Sequence, residues 1–262
     1  MTDFGRTPKK QTAVVLSQQE LSPGIFDMWI GTDLVSDAAA GRFIGIYPAD
    51  RSRLLPRPVS ICEIDREKQR LRVVYRVAGG GTEEFSTYSS GQAIEILGIL
   101  GNGFPIEAGN GKTSLLIGGG IGIPPMLQLA KELKGNVLIT AGYRDHNLFL
   151  AKELELLGRF YPATEDGSAG TGGTVLDAIA AHRLKADVIY ACGPLPMLRA
   201  VKQFAATQQI PAYLSMEERM ACGVGACLGC VCRTTKKDPH SHVYNARICT
   251  DGPVFLAEDV EI

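Results

Sequence analysis

Four cysteines carry the most specific chemistry in this chain. Cys222, Cys227 and Cys230 follow C-x4-C-x2-C spacing, and Cys249 comes after eighteen intervening residues. Three close thiolates with a remote fourth form the plant-type pattern for a [2Fe–2S] cluster. The residues between them suit that task. Gly223, Gly225, Ala226 and Gly229 are small, so backbone can wrap an inorganic core and aim amide hydrogens at its sulfurs. A four-cysteine zinc site usually opposes two short cysteine knuckles, whereas the far side here offers Cys249 alone. A disulfide framework fits worse, because seven cysteines is an odd number in a large chain without an export leader. Cys232 lies two residues after Cys230 and reads as a buried structural thiol, with the role of reserve ligand left open. His240 and His242 stand in a polar turn and read as solvated loop residues, not as Rieske ligands.

A second group of residues could hold phosphate. Arg57-Pro58-Val59-Ser60 places a guanidinium, a rigid bend and a hydroxyl at the start of an expected strand. An Arg fork matches phosphate or ribityl oxygens. Val74-Tyr75-Arg76 follows on the next strand. Gly79-Gly80-Gly81-Thr82 then offers backbone amides and a hydroxyl, a pyrophosphate cradle. Residues 83–89 are expected to form a short helix whose start favours an anion.

A third group reads as a nucleotide turn. The apolar strand 113–117 leads into Gly118-Gly119-Gly120-Ile121-Gly122, and a helical pattern follows. Strand, glycine turn and helix are the context that lets a phosphate approach backbone. The strict G-x-G-x-x-G is absent, since Ile123 takes the third glycine position. A second turn, Cys192-Gly193-Pro194, opens a helix over 198–206. Cys192 is either a small core residue or a thiol lining a nicotinamide pocket. Glu165-Asp166 ends another strand and would disfavour a 2′-phosphate if it faced the ribose. His146 and His182 read as surface residues without a role.

The elements that must position these groups differ along the chain. Runs at 12–17, 25–30, 43–47, 59–64, 71–77 and 93–97 are short and β-rich, with turn residues between them, which predicts an antiparallel barrel. From 113 to 206, strands at 137–141, 159–163 and 186–191 alternate with helices at 147–157 and 175–182. That alternation predicts a parallel sheet with ligands at the carboxyl ends of its strands. The expected units are 1–108, 109–213 and 214–262. The fold class is therefore multidomain: a β-barrel, a Rossmann-like α/β unit and a small cysteine-bearing domain. With 45% apolar and 21% charged residues and a net charge of −1, the composition is that of a globular protein without a nucleic-acid-binding stripe. Residues 115–130 are apolar but carry six glycines or prolines and are shorter than a membrane span. Residues 1–10 lack the apolar core of a signal peptide. Free thiols without an export signal point to a reducing cytoplasm.

Arg57-Pro-Val-Ser60, Gly118-Gly-Gly-Ile-Gly122 and Cys192-Gly-Pro194 appear in the order of the ferredoxin reductase superfamily. Leu100-Gly-Asn-Gly-Phe104, Ser215-Met-Glu-Glu-Arg-Met-Ala-Cys222 and Asp251-Gly-Pro-Val-Phe255 narrow this. With the cysteine pattern, the chain resembles the family of electron-transfer subunits of NAD-dependent dihydroorotate dehydrogenases (class 1B) over nearly its whole length. The resemblance implies an oxidoreductase subunit with FAD, NAD and [2Fe–2S] cofactors. It implies FAD held by Arg57, Pro58, Val59, Ser60, Val74, Tyr75, Arg76, Gly81 and Thr82. NAD is assigned to Gly119, Gly120, Gly122, Asp166, Cys192 and Gly193, and the cluster to Cys222, Cys227, Cys230 and Cys249. It also implies a partner, an FMN-containing catalytic subunit that oxidises dihydroorotate in pyrimidine (UMP) biosynthesis, in a heterotetramer of two of each. No residue of this chain is then required for proton abstraction. The superfamily usually has Tyr before the final Ser of its flavin motif, and Val59 removes that stacking ring. Subunits of ferredoxin or sulfide oxidoreductases and stand-alone oxygenase reductases share the layout. A zinc-bearing interaction module on the same scaffold is the non-enzymatic alternative.

Overall fold

A computed structural model of the chain describes residues 8–238 and 242–262. His240 and the first seven residues, which include most of the leader region considered above, lie outside the described residues.

The first strands close into an antiparallel barrel. They are β1 (Lys9–Ser22), β2 (Ile25–Gly31), β3 (Phe43–Tyr47), β4 (Arg57–Asp65), β5 (Arg70–Arg76) and β6 (Ala93–Leu100), in spatial order β1-β2-β5-β4-β3-β6. β-Branched residues suit such a pleated, inward-facing surface. Val15, Met28, Ile30, Ile44, Ile46, Ile61, Leu71, Val73 and Ile96 fill the interior without exposure. Helix α1 (Gly80–Ser86) is fastened to the wall by Gln18, whose Nε2 donates to the carbonyls of Phe85, Ser86 and Tyr88. The sequence predicted this helix three residues later. Thr82 explains the shift: its Oγ1 accepts from the amides of Ala78 and Gly79, closing the turn before Gly80.

The second sheet holds β7 (Thr113–Gly119), β8 (Asn136–Tyr143), β9 (Arg159–Thr164), β10 (Thr171–Gly172), β11 (Val188–Cys192) and β12 (Ala212–Ser215). Its spatial order is β10-β9-β8-β7-β11-β12, and these strands are parallel. Helices α2 (Pro124–Glu132), α3 (Ala151–Glu155), α4 (Val175–Ala181) and α5 (Leu195–Gln208) cover it. The helix expected at 147–157 shrinks to α3. Asp145 captures the Asn147 amide at 2.8 Å, and Leu150 adopts φ 63°, so the chain turns before it can coil. Conversely, α5 begins at Leu195, earlier than expected, because Pro194 and Pro196 are tolerated at a helix start.

The C-terminal segment adds β13 (Val231–Arg233) and β14 (Asn245–Arg247), a small hairpin, and β15 (Val254–Leu256). β15 pairs antiparallel with β12 and completes the large sheet. The expected boundary at 213/214 thus falls inside β12.

Barrel and sheet meet across a buried ion network. Arg72 of β5 is 6% exposed and grips Asp27 of β2 through two bonds of 2.8 and 3.0 Å. The same guanidinium reaches Glu63 of β4 at 3.1 Å and Glu153 of α3 at 2.6 Å. Lys131 of α2 bonds Glu63 at 2.6 Å. Two elements of the sheet domain are therefore tied to three barrel strands through charge.

Candidate functional site

The cysteines are drawn together by a loop that glycine makes possible. Gly223 (φ +70°) and Gly225 (φ +81°) adopt left-handed backbone, which other residues avoid. Amides turn inward as expected. Val224 N donates to Cys222 Sγ at 3.4 Å, Gly229 N to Cys227 Sγ at 3.4 Å, and Cys249 N to Cys230 Sγ at 3.4 Å. The free thiols neighbour one another in pairs, with hydrogen bonding between Cys222 and Cys227 and between Cys230 and Cys249. Burial pushes the Cys222 thiol up, but the amides of Val224, Cys227 and Ala226 outweigh it and hold the group at about 6. Burial, then the hydrogen bond and charge of Cys230, push Cys249 up to about 12.

No three His, Cys, Asp or Glu side chains among the described residues converge on one metal position. Sulfurs arranged two by two, with amides aimed at them, fit a two-iron centre better than a single zinc ion. Cys232 lies on β13, half-buried and not fully buried as expected, with its thiol beside the Ala246 amide, and this partial burial pushes it up. His242, the described member of the histidine pair, is exposed.

The loop leans on the barrel. A Cβ on Gly223 would sit 3.3 Å from Leu100 of β6, and Cys230 and Cys249 share a core with Phe43, Leu97 and Leu100. Two sequence motifs meet here. Asn102, just past β6, accepts the Val254 amide at 3.1 Å and donates to the carbonyls of Val254 and Asp251 at 2.8 and 3.1 Å. A Cβ on Gly101 would be 2.5 Å from Pro253. Leu100–Phe104 and Asp251–Phe255 are thus two halves of one joint.

On β4, Arg57 lies over the first turn of α1. A Cβ on Gly81 would fall 2.5 Å from Arg57 Nε, so glycine alone permits that approach. Arg53, which sequence reasoning did not single out, lies over Gly80 and bonds its carbonyl. This pair of guanidiniums beside a glycine turn suits an anionic diphosphate. Ser60 and Thr82 are half-buried and Pro58 is exposed. Val59 and Tyr75 are buried in the barrel core, and Val74 is buried against the sheet domain, so these three can offer a ligand little beyond backbone. The Tyr75 hydroxyl donates to Gln18 at 2.9 Å and its ring stacks on Phe26. Burial pushes its pKa up.

Between barrel and sheet lies a cavity of about 770 Å³. Gly119 at the end of β7 lines it with Gly120 and Ile121 of the turn that follows, as do Tyr143 and Arg144 at and just after the end of β8, Glu165 after β9, and Pro194 and Met197 at the start of α5. Ser22, Pro23, Ile25 and Arg76 line its barrel side. β7 and β11 are parallel neighbours, and the chain leads from β7 to β8 on one side and from β11 to β12 on the other, so the cavity opens where strand order reverses, the usual ligand position. The other expected residues do not line it. A Cβ on Gly122 would lie 2.2 Å from the Cys192 carbonyl, and one on Gly193 would lie 3.1 Å from Gly119 N. These glycines let the two turns interlock. Burial pushes Cys192 up to about 12, against a hydrogen bond from Ser215. Asp166 turns away: its carboxylate accepts from Ser168 Oγ and N, which hold it below the usual range. Glu165 takes the wall instead.

A flavin-type barrel joined to a nucleotide-binding parallel sheet, with a cysteine loop on its flank, defines an iron–sulfur oxidoreductase of the ferredoxin reductase type. Residues 217–261 match the iron–sulfur cluster binding domain of dihydroorotate dehydrogenase B. The dihydroorotate dehydrogenase B (NAD(+)) electron transfer subunit of Listeria welshimeri is 43% identical over 253 residues, covering 95% of this chain and 97% of its own. That of Bacillus mycoides is 41% identical over 259 residues, covering 96% and 98%. The solved structure of an NADH-dependent reduced ferredoxin-NADP oxidoreductase superposes with a TM-score of 0.85 at 27% identity, covering 98% of this chain and 91% of that one. A ferredoxin reductase of carbazole 1,9a-dioxygenase shares the fold at 18% identity, with a TM-score of 0.66 over 80% of this chain and 70% of its own. The chain belongs to the family of dihydroorotate dehydrogenase B (NAD(+)) electron transfer subunits.

Proposed function

We propose that this chain passes reducing equivalents from the FMN of a catalytic partner subunit, which oxidises dihydroorotate in pyrimidine biosynthesis, to NAD+. One observation carries the reading: the order of strands in the barrel. The cysteine loop rests on β3 and β6, and the barrel side of the cavity is lined by Ser22, Pro23 and Ile25 around the β1–β2 turn and by Arg76 at the end of β5. β4, bearing Arg57–Ser60, lies between β3 and β5. A flavin held there borders both other sites along the β5-β4-β3 arc of the closed barrel. When bound, it supplies the exchange between hydride pairs and single electrons that a nicotinamide and an iron–sulfur cluster cannot make with each other directly.

In this reading Arg57, with Arg53 beside it, binds the FAD diphosphate against Gly81 and Thr82. Ser60 and the backbone of Pro58, Val59, Val74 and Tyr75 orient the rest of the cofactor, and Arg76 reaches from that site to the nicotinamide cavity. The Gly119–Gly120 turn receives the NAD phosphates, while Gly122, Cys192 and Gly193 hold that turn in place. Cys222 and Cys227 hold one iron, Cys230 and Cys249 the other. The three units, 1–108, 109–213 and 214–262, divide the cofactors, although β15 ties the last to the second. The partner joins in a complex of two of each subunit, in the cytoplasm.

Anaerobic purification tests this. The isolated chain is expected to contain FAD, iron and acid-labile sulfide, to bleach with NADH, and to reduce an artificial dye but not orotate. A preparation with zinc and no iron, or orotate reduction without a partner, would overturn it. Mass spectrometry of the flavoprotein that co-elutes from native extract separates this partner from a ferredoxin or sulfide enzyme.

A further inference from the structure

The two cysteine segments are joined by a side chain that is not a ligand. Arg247 ends β14, two residues before Cys249. Its Nε and Nη2 form a fork on Asp251, at 3.0 and 2.9 Å, and its own amide donates to Asp251 Oδ2 at 2.8 Å. Asp251 N returns to the Arg247 carbonyl at 2.7 Å. The loop carrying Cys249 is therefore closed on itself. The remaining nitrogen, Nη1, crosses to the other segment and donates to the Gly225 carbonyl at 3.4 Å. Gly225 has no room for a side chain there, since a Cβ would lie 2.9 Å from Thr250 and 3.2 Å from Arg247 Nη1. Gly225 thus packs against Thr250, next to Cys249, and against Arg247, two residues before it.

We propose that Arg247 is a positioning residue for the iron–sulfur centre: it fixes the distance between the Cys222–Cys230 loop and the Cys249 loop, and its cation stabilises the reduced, more negative form. The proposal rests on the reading that the four cysteines hold that centre. Two effects follow from one side chain. The fork and the Gly225 contact resist separation of the ligand segments. The positive charge beside the centre raises its potential, because an added electron is attracted to it; hydrogen bonding and local charge are recognised determinants of cluster potential. Asp251 opposes the charge effect while supporting the geometry.

Three variants of the holoprotein separate these effects, read by redox titration of the cluster signal and by iron loss to a chelator. Arg247→Gln removes the charge and is expected to shift the one-electron equilibrium about tenfold toward the oxidised form, a fall of about 59 mV, with faster iron loss. Arg247→Lys keeps the charge but cannot make the fork, so iron loss accelerates while the potential stays near wild type. Asp251→Asn removes the opposing anion, so the potential rises. Equal potentials in the Gln and Lys variants would overturn the charge role, and wild-type iron loss in both would overturn the positioning role. Should the Gln variant hold no cluster, an unshifted potential in Asp251→Asn overturns the charge role by itself. Wild-type protein lacking iron and sulfide would instead sink the reading of the cysteines.

Discussion

Asn102 and Val254 bond reciprocally. The Asn102 carboxamide accepts the Val254 amide at 3.1 Å and donates to the Val254 carbonyl at 2.8 Å. It imitates a strand neighbour for a residue more than a hundred positions away. The consequence is mechanical: the exit of the barrel and the loop after the fourth cysteine move as one piece.

Asn102→Ala removes three hydrogen bonds at this joint, including the one to Asp251. At roughly 0.5–1.5 kcal/mol each, and with water replacing part of the loss at an exposed site, about 1–2 kcal/mol of stability should go. A lower urea midpoint with an unchanged slope would show it. An unaltered midpoint would mean that the joint is ornamental.

Cys249→Ser should abolish cluster absorbance after anaerobic reconstitution, while Cys232→Ser should leave it intact. The pairing of Cys249 with Cys230, and the place of Cys232 beside Ala246, motivate the contrast. The opposite outcome would make Cys232 the ligand.

Arg57→Ala should weaken FAD binding about tenfold to a hundredfold, the equivalent of a lost charge-assisted bond of roughly 1.5–3 kcal/mol. Gly81→Ala should act in the same direction, since the new methyl group would strike Arg57 Nε. Flavin retained after ultrafiltration at graded dilution measures both. Undiminished retention in Arg57→Ala would remove that residue from the site.

Gly122→Ala should disable the proposed dinucleotide turn, because the added carbon meets the Cys192 backbone at 2.2 Å and backbone cannot yield cheaply. Gly119→Ala meets the flexible Met197 sulfur at 2.5 Å and should be milder. The expected readout is anaerobic flavin bleaching by NADH, slower in the first variant than in the second. Equal rates would contradict the interlocked turns.

Arg72→Met strands the carboxylate of Asp27, which is 3% exposed. Breaking a buried pair by removing one partner costs about 3–5 kcal/mol. Glu153→Gln should cost about 1 kcal/mol or less, since that side chain is 42% exposed and water screens it. Denaturant curves of the two variants should differ accordingly, and similar curves would deny Arg72 its place at the centre of the interface.

Much of this arrangement was legible in the residues. Short β-rich runs such as β5 and glycine turns such as Gly118–Gly122 are local signals, and the cysteine spacing is itself a distance constraint. What failed to show was long-range or cooperative. The 147–157 stretch has helical periodicity, but Asp145 and Leu150 redirect it through a side-chain bond and a left-handed residue. β10, β12 and β15 are only two to four residues long, and their strand character comes from neighbours already in the sheet. Adjacent carboxylates at 165 and 166 look alike in sequence. One lines the cavity and the other folds onto Ser168, a difference set by turn geometry. Arg53 and Arg247 carry no motif of their own, and each gains meaning only when folding brings a glycine against it.

β15 has a consequence for any shortened form of this protein. A fragment ending before the cysteines would keep the barrel and most of the sheet, yet β12 would then present a row of bare amides and carbonyls. Such an unshielded border recruits other chains. A truncated version should therefore self-associate under conditions in which the intact chain stays dispersed, however well its remaining parts are folded.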